Sequence, residues 1–238
     1  MSNFIFFYVD TKTTYLSERH RGIERENIDL FIKSIRKYHT GSTIIHCTDI
    51  YTETFKGVDI VHREEFDLNH LMVGKIKCFS SFPINKPSIY LDPDMLLMKA
   101  IPIKLFEEKA DVFLLRRSFD LSNTIPTTFR KIEFPKHENK SLEDIYPFIA
   151  CFVIVKKQNF WLECLQYFEK LEDNYKNWFG DQEIFKRLVK ENNYNFAFLY
   201  EKNFACPPQH LSGKNRPFIV HFKGKYNKEL IKKYFEFV

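Results

Sequence analysis

Ser88-Ile89-Tyr90-Leu91-Asp92-Pro93-Asp94-Met95-Leu96-Leu97-Met98 sets two aspartates, one proline apart, between apolar runs. The apolar residues read as a buried strand, which leaves the two carboxylates to be explained. Unpaired buried charge is costly, so carboxylates placed together at a strand end call for a cation or another polar partner. Hard oxygen donors suit Mg²⁺ or Mn²⁺, ions that also bind substrate phosphates. Pro93 offers no N–H and fixes its own φ, so the pair falls where the strand stops being a ladder.

Outward from this stretch, strands and helices alternate. Phe4–Val9 is a continuous apolar run ending at Asp10. Ile28, Phe31, Ile32 and Ile35 keep the spacing of one helical face, which Gly41 closes. Thr43–Cys47 and Val58–Val61 read as strands, and Leu68, Leu71, Met72, Ile76 and Phe79 mark a second helix stopped by Pro83. After Asp94 come a strand at Val112–Leu115 ending in Arg116-Arg117, and a polar excursion over residues 118–147. A strand at Phe152–Val155, helices carrying Phe160–Leu171 and opening at Gly180-Asp181-Gln182, a last strand Phe218–Phe222 and a closing helix with Leu230, Ile231, Tyr234 and Phe235 follow. Alternation of this kind predicts an α/β fold with a mostly parallel twisted sheet flanked by helices. Ligands of such sheets gather at the carboxyl ends of strands, where Asp10, Asp49, Asp92 and Asp94 fall. A long excursion in a compact protein suits a lid or binding loop.

Composition narrows the function classes. With 238 residues, 44% hydrophobic and 17% aromatic, the chain can bury a sizeable core. Its five cysteines show no C-x-x-C spacing and read as thiols of a reducing compartment. The apolar run Phe4–Val9 lacks a basic lead and is too short for a signal sequence. No stretch approaches the roughly 20 apolar residues of a membrane span. A cytoplasmic location is the expectation. Net charge is +5, and between Lys214 and Lys233 lie Lys214, Arg216, Lys223, Lys225, Lys228, Lys232 and Lys233 against only Glu229 as an acid. Such a tail suits phosphates, an anionic membrane surface or, as a minor option, nucleic acid, or is simply a solvated helix face. No helix-turn-helix, zinc-finger or RNP-type motif is present, so no nucleic-acid partner is expected.

Three places share a chemical logic. Asp92 and Asp94 can ligate a divalent ion. His221 ends a strand and is followed by Lys223, Gly224 and Lys225, an imidazole beside phosphate-binding cations. Asp181 and Gln182 stand at a helix start, where a carboxylate and an amide can face a substrate. Each has an ordinary reading as well: Asp181 as a helix N-cap, His221 as a satisfied core histidine, D-x-D as a loop or calcium site.

The order of these motifs resembles metal-dependent GT-A glycosyltransferases, in particular the retaining galactosyltransferase and glycogenin-like group (family 8-like). Ile89-Tyr90-Leu91-Asp92-Pro93-Asp94 is similar to that group's Y-L-D-x-D metal motif, and Gly180-Asp181-Gln182-Glu183 to its D-Q helix start. His221-Phe222-Lys223-Gly224 resembles the H-F/Y-x-G segment that supplies a third metal ligand. Lys75 stands where the group has a donor-contacting arginine, and Asp10 with Tyr15 resembles its base-binding D-x-x-Y element with a longer gap. Phe148–Trp161 is similar to the stretch after an F-N-x-G motif, with Ile149 and Cys151 in place of asparagine and glycine. The K-P-W after Gly224 is missing, leaving Lys225 or Lys228 as the phosphate lysine.

The resemblance implies one GT-A domain over 1–238, with a Rossmann-like nucleotide-sugar-binding half (1–98) and an acceptor-binding half with a basic C-terminal helix (99–238). It implies transfer of a hexose from a nucleotide-sugar, of UDP type, to a glycan or lipid-linked glycan, with retention. Asp92, Asp94 and His221 would hold Mn²⁺ or Mg²⁺; Asp10, Tyr15, Lys75, Asp92, Lys223 and Lys225 would bind the donor; Asp181 and Gln182 would face the sugar. Peripheral contact with the inner membrane surface through Lys228, Lys232 and Lys233 is set against packing of Ile231, Tyr234 and Phe235 on the core. The alternatives are an inverting GT-A transferase with Asp181 as general base, a sugar nucleotidyltransferase, and a degenerate glycan-binding homologue. A dehalogenase-type phosphatase also uses D-x-D, but Leu96 stands where it needs Thr or Val.

Overall fold

A computed structural model describes residues 2–10, 24–119, 121, 128–129, 132–133, 141–177, 179–212 and 216–238. In chain order the elements are β1 (Asn3–Phe7), α1 (Arg25–Tyr38), β2 (Thr43–Thr48), β3 (Ile60–Arg63), α2 (Leu71–Ser81), β4 (Ser88–Leu91), β5 (Met95–Leu97), α3 (Lys104–Glu107), β6 (Val112–Arg116), β7 (Thr128–Phe129), β8 (Ile132–Glu133), α4 (Leu142–Ile145) and β9 (Phe148–Val155). They continue with α5 (Asn159–Glu169), α6 (Asp173–Asn177), α7 (Gly180–Glu191), β10 (Phe196–Tyr200), α8 (Glu201–Phe204), β11 (Ile219–His221), α9 (Lys225–Lys228) and α10 (Ile231–Phe235).

Seven strands form one sheet in the order β10-β6-β9-β4-β1-β2-β3. Every pairing is parallel except those of β9, which runs antiparallel to β4 and to β6. The mostly parallel α/β sheet read from the sequence is therefore present. Strands buried on both faces need no polar alternation, which is why β1, β2 and β4 read as plain apolar runs. Successive residues still point to opposite faces. Phe4 and Phe6 pack with Ile28, Phe31, Ile32 and Ile35 of α1, while Ile5 and Tyr90 pack with Ile76 and Phe79 of α2 and Trp161 of α5. Each fully buried Phe, Leu or Ile contributes about 1.5–3 kcal/mol. Two such layers fix the sheet and so the positions of its strand ends.

Several expectations change in detail. The apolar residues after Asp94 form a strand of their own, β5, which leaves the large sheet and pairs antiparallel with β11. Pro93 marks the break. β9 begins at Phe148, earlier than Phe152, because its first residues pair with the end of β6 across a bulge at Leu114/Leu115. β10 was not anticipated; its alternating exposure, with Phe198 and Tyr200 outward, belongs to a sheet-edge strand. The closing helix is two short ones. α9 passes over Asp94, whereas Ile231 of α10 is 1% exposed and packs into the core beside α1. Tyr234 and Phe235 also lie against the core. Within 118–147 the described parts are the β7–β8 hairpin and α4, which has a Ser141/Asp144 capping box. All five cysteines are buried and free. No helix among the described residues is long and apolar enough to cross a membrane.

Candidate functional site

β4 runs parallel to β1 and antiparallel to β9, so its carboxyl end opens between them. Asp92 follows directly, its backbone N–H donating to Cys151 O of β9 at 2.9 Å. Beyond Pro93, β5 carries the chain alongside β11, whose last residue is His221. Phe222 N–H donates to Asp94 O at 2.8 Å and closes that corner. Two backbone ladders thus deliver the imidazole to the aspartate pair. The ligand atoms of Asp92, Asp94 and His221 all lie within 4.8 Å of one another. Two carboxylate oxygens and one imidazole nitrogen at that spacing fit a single divalent cation, and a hard or borderline one such as Mg²⁺ or Mn²⁺ suits the donor set.

The protein's own cations neutralise these acids. Lys75 Nζ of α2 lies 3.0 Å from Asp92 Oδ1 and 3.9 Å from Asp181 Oδ2. Lys228 Nζ of α9 lies 3.3 Å from Asp94 Oδ2, and His221 Nε2 lies 3.3 Å from Asp94 Oδ1. Burial works against ionised Asp94, but His221 and Lys228 outweigh it and hold the carboxyl well below its usual range. Burial likewise opposes charge on His221, yet the Cys151 sulfur and the Asp94 carboxylate against the ring hold it protonated well above an ordinary imidazole. Of these two, Asp94 is the partner that counts at neutral pH, because burial pushes the Cys151 thiol up and keeps it neutral. Lys75 is raised too: burial opposes its charge and Asp92 and Asp181 restore it.

Asp181 is not the N-cap. Phe179 holds that place with φ 60° and makes no side-chain cap, and α7 starts at Gly180. Asp181 is 5% exposed and sits in the first turn, its Oδ1 accepting the Gln182 N–H at 2.8 Å. Burial raises its pKa, Asp92 adds to the rise and Lys75 opposes it. The start of α7 is pressed so closely on α6 and α5 that a Cβ on Gly180 would lie 2.3 Å from Tyr175 O and 2.8 Å from the Phe168 ring. Gly180→Ala is therefore expected to cost about 1–3 kcal/mol by overpacking against a backbone oxygen that cannot yield. Urea unfolding of the variant measures it, and unchanged stability would show that the helix start can shift.

Gln182 Oε1 accepts from Arg117 at 3.0 Å. Asp10 lies past the end of β1 on the same sheet edge, its N–H donating to Thr52 Oγ1 at 2.9 Å. That loop is tied by Asp49, which accepts the Thr52 N–H at 2.7 Å, and by Arg63 Nη1, at 2.8 Å from both Asp49 O and Thr52 O. Lys223 is exposed, its carbonyl accepting from Asn227. Gly224 has φ +87° with open space around it, a conformation a side chain would strain. Tyr15 and the side chain of Lys225 lie outside the described residues. Lys228, one of the two lysines offered for the phosphate, is brought to Asp94. Sequence reasoning missed Arg117, and its only signal was a doubled arginine at a strand end.

No protein-family model matches the chain, and no curated protein sequence matches it. Among solved structures, the galactosyltransferase LgtC, in complex with donor and acceptor sugar analogs, superposes with a TM-score of 0.60 over 98% of this chain and 95% of its own, at 13% identity. The chain has the GT-A fold. The glycosyltransferase GlyE of Streptococcus pneumoniae TIGR4 shares it, with a TM-score of 0.59 in two structures at 13% and 14% identity. The chain spans 98% of itself but only 59% of GlyE in those superpositions. In this GT-A fold the aspartate pair lies at the carboxyl end of β4, the edge where doubly wound sheets place their ligands.

Proposed function

We propose that this chain is a glycosyltransferase that moves a hexose from a nucleotide-sugar, of UDP type, to a hydroxyl of a glycan or lipid-linked glycan, with retention and with a divalent metal. The observation that carries the reading is the convergence of Asp92, Asp94 and His221 within 4.8 Å at the end of β4, on a fold shared with glycosyltransferases. Residues 1–98 form the donor-binding half and 99–238 the acceptor-binding half. A lipid-linked acceptor, met at a membrane surface, is supported by Phe237, which is 60% exposed and close in sequence to Lys232 and Lys233.

In this reading Asp92, Asp94 and His221 hold Mn²⁺ or Mg²⁺, which when bound supplies a Lewis acid for the diphosphate. Asp10 and the loop tied by Asp49 and Arg63 border the nucleoside, and Tyr15 is assigned to the same role from its place in the sequence. Lys228, Lys75, Lys223 and Lys225 provide ammonium groups for the phosphate oxygens. As the acceptor hydroxyl attacks and the bond to the diphosphate stretches, negative charge grows on the leaving group. Fixed cations stabilise that charge most strongly in the transition state, and so raise the rate rather than merely tighten binding. Asp181 and Gln182 line the sugar side. Inversion is favoured by one observation: burial lifts Asp181 toward the range of a general base.

The test is nucleoside-diphosphate release from UDP-glucose and UDP-galactose, with Mn²⁺ and with chelator, and the anomeric configuration of the product by NMR. Metal-dependent UDP release with an α-linked product is the expected outcome. Inorganic phosphate release would point to a phosphatase, and UDP-sugar binding without turnover to a degenerate homologue.

A further inference from the structure

β10 ends the large sheet, and one of its faces leaves aromatic rings in solvent: Phe198 is 41% exposed and Tyr200 49%. The parallel register of β10 with β6 sets Tyr200 beside Arg116. Across β6, Arg116 pairs with Phe148 of β9. Residues paired across strands point to the same face of a sheet, so Tyr200, Arg116 and Phe148 form one row. One step in from the strand end, Phe198 stacks on Phe148, with ring centroids 5.2 Å apart and planes 17° from parallel. Arg116 is exposed and has no acid or hydrogen-bond acceptor paired with it among the described residues. Lys202 is also exposed, with Nζ 5.6 Å from the centroid of the Tyr200 ring, and forms no ion pair among the described residues. Glu201, between Tyr200 and Lys202 in the chain, is turned inward. It is 5% exposed, and its Oε2 accepts the N–H groups of Ser118 at 2.8 Å and Phe119 at 3.2 Å. Exposed rings thus lie beside two cations without acidic partners.

This row belongs to the sheet edge that carries the Asp92/Asp94/His221 corner. β9 is antiparallel to both β4 and β6, and β10 is parallel to β6, so β4, β6 and β10 all end on that edge. Three strand spacings separate β4 from β10, about 14 Å, a span that a short oligosaccharide covers. A pyranose has an apolar face of C–H groups that an exposed ring can bury while the hydroxyls at its rim stay wet. A guanidinium recognises a carboxylate or a phosphate through two parallel N–H bonds. A second copy of this chain, docked here on a two-fold axis, would bring these cations against their own counterparts. An anionic ligand is the better match.

We propose that Arg116, Phe198, Tyr200 and Lys202 form an acceptor subsite for a sugar bearing a carboxylate or phosphate group. The inference rests on the transferase reading above and narrows it: the acceptor is an acidic oligosaccharide, held on β10 while its reactive end lies at the metal corner.

Isothermal titration calorimetry measures binding of tetragalacturonate, pentamannose 6-phosphate and neutral maltotetraose to wild type, Arg116→Ala, Arg116→Lys, Tyr200→Ala and Lys202→Ala. Thermal unfolding checks folding. UDP release from UDP-glucose and UDP-galactose with Mn²⁺, without added oligosaccharide, checks the cleft. At least one acidic oligosaccharide is expected to bind wild type more tightly than maltotetraose by on the order of 10-fold, the scale of one charge-assisted hydrogen bond. The acidic sugar that binds distinguishes carboxylate from phosphate recognition. Arg116→Ala and Tyr200→Ala are each expected to weaken that binding by on the order of 10-fold, with UDP release kept at the wild-type level. Arg116→Lys should fall between, because it keeps the charge and loses the fork.

Equal binding of acidic and neutral oligosaccharides overturns the inference, as does acidic binding that every variant leaves unchanged. Attachment to phosphatidylglycerol vesicles that Arg116→Ala abolishes, with no oligosaccharide bound, assigns the face to a lipid surface and overturns it too. So does a dimer in sedimentation velocity that Tyr200→Ala dissolves, again with no oligosaccharide bound. A wild type that binds an acidic oligosaccharide through these residues but releases UDP from neither sugar overturns the transferase reading and the acceptor role with it. UDP release without any acidic preference overturns the subsite alone.

Discussion

If the proposed function holds, Asp94→Asn is expected to lower metal-dependent turnover by on the order of 10³-fold, because it removes a negative charge from a site where a bound ion would supply several kcal/mol of charge stabilisation. The substitution keeps the shape and removes the charge. The corner it occupies is held by backbone, through Phe222 N–H on Asp94 O and the β5–β11 ladder, so the fold should survive. What is lost is the carboxylate that His221 and Lys228 share at 3.3 Å each. Those two cations then face each other, and the imidazole should give up its proton. Mn²⁺ titration by calorimetry, with and without UDP, should show heat for wild type and little for the variant. Near-normal Mn²⁺-stimulated turnover in a folded Asp94→Asn would remove Asp94 from the metal site.

Lys75→Met is expected to give a large loss of stability, about 3 kcal/mol at neutral pH, the scale for deleting one partner of a buried ionic network. Lys75 and Asp181 have side chains 11% and 7% exposed, and methionine matches the stem of lysine but not its charge. Asp92 and Asp181 would be left near one another without their shared cation. The sign with pH follows from the groups left behind. Asp181 already sits above the ordinary carboxylate range because of burial, with Lys75 pulling it down; without Lys75 it rises further. A group raised in the folded state stabilises below its unfolded pKa, and that stability fades as pH climbs through the folded value. The deficit of Lys75→Met should thus be small near about pH 5 and full near about pH 8. Urea unfolding at the two pH values reads this directly. A deficit independent of pH would mean that the lysine stem, not its charge, is what the structure needs.

The parallel sheet and the residues of the Asp92/Asp94/His221 corner were legible in the sequence because their signals are local. Asp92 and Asp94 break an apolar run within three positions, and His221 breaks another. The helix opening at Gly180-Asp181-Gln182 was legible, but the N-cap reading of Asp181 rests on a statistical preference, and here a left-handed Phe179 takes that place two residues earlier. The Arg117–Gln182 contact joins residues 65 positions apart, and no periodicity encodes such a partner. Nor could spacing choose among Lys223, Lys225 and Lys228. Lys228 reaches Asp94 from far along the chain, a tertiary contact. Lys75 was read as a donor contact, and the structure adds the job of bridging Asp92 to Asp181.

The pairing of β5 with β11 carries a kinetic meaning. The two strands lie far apart along the chain, so joining them closes a long loop, and contacts of that kind form slowly. Most of the large sheet can assemble from its neighbours without β11. A folding molecule can therefore have most of the large sheet in place while Ile219, Val220 and His221 are still undocked from β5 and Asp94.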